Sequence, residues 1–105
     1  MLELNSSELD EVLKQKGLIA IDFWSPNCIF CRMLAPNFEM VSKQFKMVKF
    51  ATCNIAESPE VAEKYEILGV PTIIFFKDGR EVARVVGYKS YEELAKIVKE
   101  LIEKP

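Results

Sequence analysis

The sequence contains no histidine. Ser-His-Asp and Cys-His mechanisms are therefore excluded, and proton transfer would fall to carboxylates, lysine, tyrosine or thiols. It has no basic excess either: 14 Lys+Arg stand against 16 Asp+Glu, a net charge of −2. Phosphate-backbone binding relies on such an excess, so no nucleic-acid partner is expected. Long hydrophobic runs are missing, since the most nearly unbroken one, Val70 to Phe76, includes Pro71 and Thr72. A bilayer span needs about 20 apolar residues, so no membrane partner is expected. The opening Met1-Leu2-Glu3-Leu4-Asn5-Ser6-Ser7-Glu8 has no basic n-region and no apolar h-region, which predicts a cytoplasmic location. Three cysteines is an odd and sparse count. It argues against a disulfide-stapled secreted scaffold and in favour of catalytic or metal-binding thiols.

Glycines and prolines, four and five in number, are scattered singly, with no linker, repeat or low-complexity tract. A chain of 105 residues, 50% hydrophobic and 29% charged, is predicted to form one domain over residues 1–105, and nothing in it demands more than a monomer. After a short possible strand at Leu2-Glu3-Leu4, apolar Leu9, Val12 and Leu13 recur at helical spacing over Ser6–Lys16. Serines at its start are available to cap that helix, and Gly17 to end it. Leu18–Trp24 reads as a strand covered on both faces, interrupted in character only by Asp22. Helical spacing returns over Cys28–Phe45, where Pro36 predicts a kink. A second central strand is predicted over Met47–Ile55, and a helix opened by Ser58-Pro59 over the stretch to Gly69. Thr72–Lys77 and Glu81–Val86 flank Asp78-Gly79, a strong hairpin signal. Ser90 and Glu93 form a capping box for a last helix carrying Leu94, Ile97, Val98, Leu101 and Ile102. The order predicts an α/β fold with a mixed sheet between helices.

The chemistry centres on Cys28-Ile29-Phe30-Cys31, at a strand-to-helix junction. Thiols at i and i+3 of a first helical turn can close a small disulfide ring, and free amides at a helix N-terminus stabilise a thiolate. In that reading Cys28 is the nucleophile, and the more shielded Cys31 resolves the mixed disulfide. The other reading of such a pair is half of a zinc or iron–sulfur site, which normally adds a second Cys pair or histidines. Cys53, the remaining candidate ligand, has the strand context of a small core residue. Asp22, a carboxylate inside an apolar strand, is either a buried proton acceptor for Cys31 or a strand residue with a local polar partner.

Asp22-Phe23-Trp24 before Cys28-x-x-Cys31, followed by Met33, Ala35-Pro36, Gly69-Val70-Pro71-Thr72, Asp78-Gly79 and Gly87, closely resembles the thioredoxin family, and the likeness spans nearly the whole chain. The resemblance implies a thioredoxin fold, with the dithiol at the end of the second strand. It implies a cis Val70-Pro71 bond facing the cysteines, and a groove for a substrate's extended segment shaped by Pro71 and lined by Trp24, Val70 and Gly87. Asp22 falls on the buried acid that assists the second thiol.

The chain departs from the family pattern in three places: Ile29-Phe30 replaces Gly-Pro between the cysteines, Asn27 replaces Trp before the first, and Thr52 stands where a lysine usually neighbours the buried acid. Ile29 and Phe30 would expose apolar surface beside Cys28, unless Phe30 folds back onto the core. The expected function is a thiol–disulfide oxidoreductase that reduces protein disulfides. Its redox group would be the Cys28–Cys31 disulfide, with no other cofactor and no metal. A nicotinamide- or ferredoxin-dependent thioredoxin reductase would recharge it. The altered dipeptide leaves two alternatives, an oxidant or isomerase of higher potential and a non-catalytic binding module of the same fold.

Overall fold

A computed structural model describes residues 1–104 of the chain. Its elements are β1 (Leu2–Glu3), α1 (Ser6–Val12), β2 (Leu18–Trp24), α2 (Ile29–Gln44), β3 (Lys49–Asn54), α3 (Pro59–Lys64), β4 (Thr72–Lys77), β5 (Arg80–Val86) and α4 (Tyr91–Glu103). The five strands form one sheet in the order β1-β3-β2-β4-β5. The β1–β3 and β3–β2 pairs are parallel, and the β2–β4 and β4–β5 pairs are antiparallel. This is the mixed sheet predicted from the order of elements, in the thioredoxin arrangement.

Alternation along the strands sorts the side chains into two layers. Ile19, Ile21 and Phe23 of β2 join Ala51 and Cys53 of β3 under α1 and α3, with Leu9, Val12 and Val61. Ala20 joins Phe50, Ile73 and Phe75 on the opposite face, under Leu34, Phe38 and Val41 of α2 and Leu94 and Val98 of α4. Asp22, two residues beyond Ala20, therefore points to the α2 and α4 side.

Several element ends differ from the sequence reading. The cap of α1 is Asn5 rather than a serine: its side chain accepts the Glu8 amide, and the Glu8 carboxylate accepts the Asn5 amide. α1 stops at Val12, and the chain reaches Gly17 (φ +96°) through turns. β3 begins at Lys49 and ends at Asn54, inside the predicted limits. α3 ends at Lys64, well before Gly69. There Glu66 takes a positive φ of 52°, and the Arg84 guanidinium donates to the carbonyls of Tyr65 and Glu66 at 2.8 and 3.0 Å, capturing backbone acceptors that local pattern does not reveal. α2 continues through Pro36 as one helix of 16 residues. The hairpin is as read: Lys77 pairs with Arg80, and Asp78 and Gly79 both have positive φ, as a type I′ turn requires. The Ser90–Glu93 capping box starts α4.

Candidate active site

Cys28 is the N-cap of α2, and its Sγ accepts the backbone N–H of Cys31 at 3.1 Å. The two sulfurs are joined as a disulfide, with the Cα atoms 5.2 Å apart. One turn of helix separates their environments. Cys28 is half-buried at the surface, whereas Cys31 is only 4% exposed. After reduction, the Cys31 amide and the positive end of the α2 dipole would both lie against the Cys28 sulfur, stabilising its thiolate.

The loop before β4 closes over that sulfur. The Val70 carbonyl oxygen lies 3.6 Å from Cys28 Sγ, and the Val70–Pro71 peptide is cis, as the resemblance implied. The Pro71 carbonyl accepts the Gly87 N–H at 2.8 Å, and the Thr72 hydroxyl donates to the Gly69 carbonyl at 2.6 Å. Gly87 has φ +91°, a conformation that favours glycine. Cys28, Val70, Pro71 and Gly87 are thus assembled at one end of the strands, from α2, the loop before β4 and the end of β5. Ile29 and Phe30 are 63% and 55% exposed, so Phe30 does not fold back onto the core. Asn27 is exposed beside them.

Behind the disulfide lies a cavity of about 240 Å³ lined by Glu3, Asp22, Trp24, Cys31, Arg32, Ala35 and Thr52. It brings the predicted acid to the predicted resolving thiol. Asp22 is 3% exposed, and its Oδ1 has no hydrogen-bond partner among the described residues. Burial, and secondarily the nearby Glu3 carboxylate, push its pKa from 3.8 up to about 7. Trp24 is half-buried and also lines this cavity, where its indole N–H donates to Glu3 Oε1 at 3.1 Å. Glu3 is the site residue that sequence reasoning missed. Only the parallel pairing of β1 with β3 brings it here, and no local pattern encodes that pairing.

Cys53 is fully buried in the other layer, beneath α1 and α3, on the face of the sheet away from the disulfide. It therefore cannot join Cys28 and Cys31 around one metal. Burial, with Glu3 and Glu60 contributing, pushes its thiol up to about 11.

The family model described as Thioredoxin matches residues 1–100. The chain belongs to the thioredoxin family. It is 41% identical over 98 residues to a thioredoxin of Chlamydia pneumoniae, covering 93% of this chain and 96% of that relative. To thioredoxin-1 of Saccharomyces cerevisiae it is 39% identical over 82 residues, covering 78% and 80%. Among solved structures, a mutant thioredoxin from Halobacterium salinarum superimposes with a TM-score of 0.90 at 30% identity, covering 99% of this chain and 92% of that one. Mitochondrial thioredoxin 3 of Saccharomyces cerevisiae, in its oxidized form, gives 0.87 at 29%, covering 95% and 94%. With the thioredoxin fold and the Cys28–Cys31 disulfide, the protein is a thiol–disulfide oxidoreductase. Proteins as substrates and reductases as partners come with that family in general terms.

Proposed function

We propose that the protein works as a reductant of protein disulfides, with its two cysteines in unequal roles. The observation that carries this reading is the asymmetry of the pair: a half-buried Cys28 at a helix N-terminus, against a Cys31 that is 4% exposed and lines Asp22's cavity. The Cys28 thiolate attacks one sulfur of the substrate disulfide, forming a mixed disulfide and releasing the other substrate sulfur as a thiolate that takes up a proton. The Cys31 thiol then gives its proton towards Asp22, and its sulfur attacks Cys28 Sγ. This re-forms Cys28–Cys31 and releases the second substrate thiol. The cavity has room for a water to carry that proton.

Val70, Pro71 and Gly87, with Trp24 at the end of β2, form the groove wall in this reading, and exposed Ile29 and Phe30 offer apolar contact to the substrate segment. The disulfide itself is the redox group, with no resident cofactor or metal. A separate thioredoxin reductase, dependent on a nicotinamide or on ferredoxin, returns the pair to the dithiol. We place this cycle in a monomer of one domain in the cytoplasm, where a glutathione-buffered pool keeps thiols reduced. No helix among the described residues is long and apolar enough to cross a membrane.

The test is a redox titration with thiol trapping, alongside Cys28→Ser and Cys31→Ser. A two-thiol step at Cys28 and Cys31 near or below about −220 mV is expected of a reductant, whereas a step at about −120 to −180 mV would make it an oxidant or isomerase. Cys28→Ser should abolish disulfide reduction, and Cys31→Ser should accumulate the mixed disulfide. Full activity in Cys28→Ser would refute the scheme.

A further inference from the structure

The sheet carries one row of paired residues that runs directly to the site. Glu3 pairs with Thr52, Thr52 with Asp22, Asp22 with Ile73, and Ile73 with Val85. Members of such a row point to one face, and Ile73 and Val85 pack in the α2 and α4 layer. Glu3 and Asp22 are therefore two carboxylates on the same face, separated by one strand. At about 4.8 Å per strand their backbones are roughly 10 Å apart, and both side chains line the same cavity.

The Glu3 carboxylate is held there on both oxygens. Its Oε1 accepts from the Thr52 hydroxyl at 2.6 Å and from the Trp24 indole N–H at 3.1 Å, and its Oε2 accepts from the Asn54 backbone N–H at 2.7 Å. Glu3 is exposed, and three donors on three residues fix where its carboxylate sits. The other groups facing Asp22 do little to offset it. From α2 come Cys31 and the exposed Arg32, β3 presents the neutral Thr52, and β4 presents Ile73.

We propose that Glu3 is a positioning residue for the proton step: a carboxylate clamped on the cavity wall that opposes the ionisation of Asp22, and so sets the pH range in which Asp22 can take the Cys31 proton. The proposal rests on the role given to Asp22 above. Burial holds Asp22 in its neutral form, and Glu3 adds to that in the same direction. Asp22 is buried although Glu3 is exposed at the rim, and a pair with one buried member is screened less than two charges on open surface.

The test follows the Asp22 carboxyl carbon by NMR across the pH range in the oxidised protein, for wild type, Glu3→Gln, Glu3→Ala and Glu60→Gln. Glu60 lies on α3, under the opposite face of the sheet, and its replacement removes the same charge without touching the cavity. The expected result is a lower Asp22 midpoint in both Glu3 variants and an unmoved midpoint in Glu60→Gln. An unmoved midpoint in Glu3→Gln overturns the proposal. So does a fall in Glu3→Ala alone, which would assign the effect to the hydrogen bonds, or an equal fall in Glu60→Gln, which would assign it to net charge. A purely structural role for Glu3 would change the unfolding midpoint and leave the Asp22 titration in place. The titration needs no turnover, so its outcome is separate from whether Asp22 serves Cys31, which Asp22→Asn decides by kinetics.

Discussion

Asp22 and Cys31 line one cavity, β2 supplying the acid and the first turn of α2 the thiol, and both are almost wholly buried, at 3% and 4% exposure. Arg32 is the one cation lining that cavity among the described residues, and it is exposed and makes no hydrogen bond to Asp22 Oδ1, which has no partner. Burial therefore keeps the carboxyl group poorly hydrated and uncharged over much of the pH range in which ordinary aspartates are ionised.

This has a cost in stability, with a definite sign. Asp22 titrates near 7 in the folded protein and at the ordinary 3.8 when exposed, so between those values the folded state holds the extra proton. Its contribution to stability is complete below about pH 4, falls as the pH rises, and is lost above about pH 7. Asp22→Asn removes this dependence. It should match wild type in urea unfolding near pH 4 and exceed it at pH 8 by up to about 4 kcal/mol.

The same substitution should slow the chemistry. With no carboxylate to accept the Cys31 proton, resolution of a mixed disulfide is expected to slow on the order of 100-fold. The rate's rise with pH, centred near 7 in wild type, should vanish in Asp22→Asn. Stopped-flow release of substrate from a preformed mixed disulfide at a series of pH values checks both.

Cys53 should be chemically silent. Its sulfur is fully buried in the layer under α1 and α3, and its thiol is pushed up to about 11, so thiolate is scarce at neutral pH. Iodoacetamide should leave the oxidised native protein unmodified and label one site after unfolding, as mass spectrometry will show. Cys53→Ala should retain disulfide reduction and lose about 1 kcal/mol of stability through the small cavity it opens.

The α4 cap offers a test far from the thiols. Ser90 Oγ accepts the Glu93 amide at 3.1 Å, and the Glu93 carboxylate accepts the Ser90 amide at 2.9 Å. Ser90→Ala should cost about 1 kcal/mol in denaturant unfolding. The reduction potential should stay where it is, since the cap touches neither cysteine.

Much of the molecule was legible because its signals are local. Leu18–Trp24 and Thr72–Lys77 are apolar runs of strand length, Asp78-Gly79 supplies two positive φ angles, and Ser90 with Glu93 caps its own helix. Cys28 at a strand-to-helix junction likewise announces a thiol whose surroundings the helix itself provides. At α3, where the reading ran too long, the deciding partner was distant in sequence. α3 ends where Arg84, 18 and 19 residues on, takes the carbonyls of Glu66 and Tyr65.

The sequence by itself determined the element order, the two-layer core and the unequal dithiol, because hydrophobic period, capping and turn chemistry act within a few residues. Tertiary structure alone decided that Glu3 shares a cavity with Asp22, that Trp24 spends its indole N–H on Glu3, and that Cys53 lies on the far face of the sheet. Those outcomes depend on which strands pair and in what register. A shift of one residue would turn every side chain of a strand to the other face, and the register is chosen by the packing of the whole core rather than by any residue's neighbours in the chain.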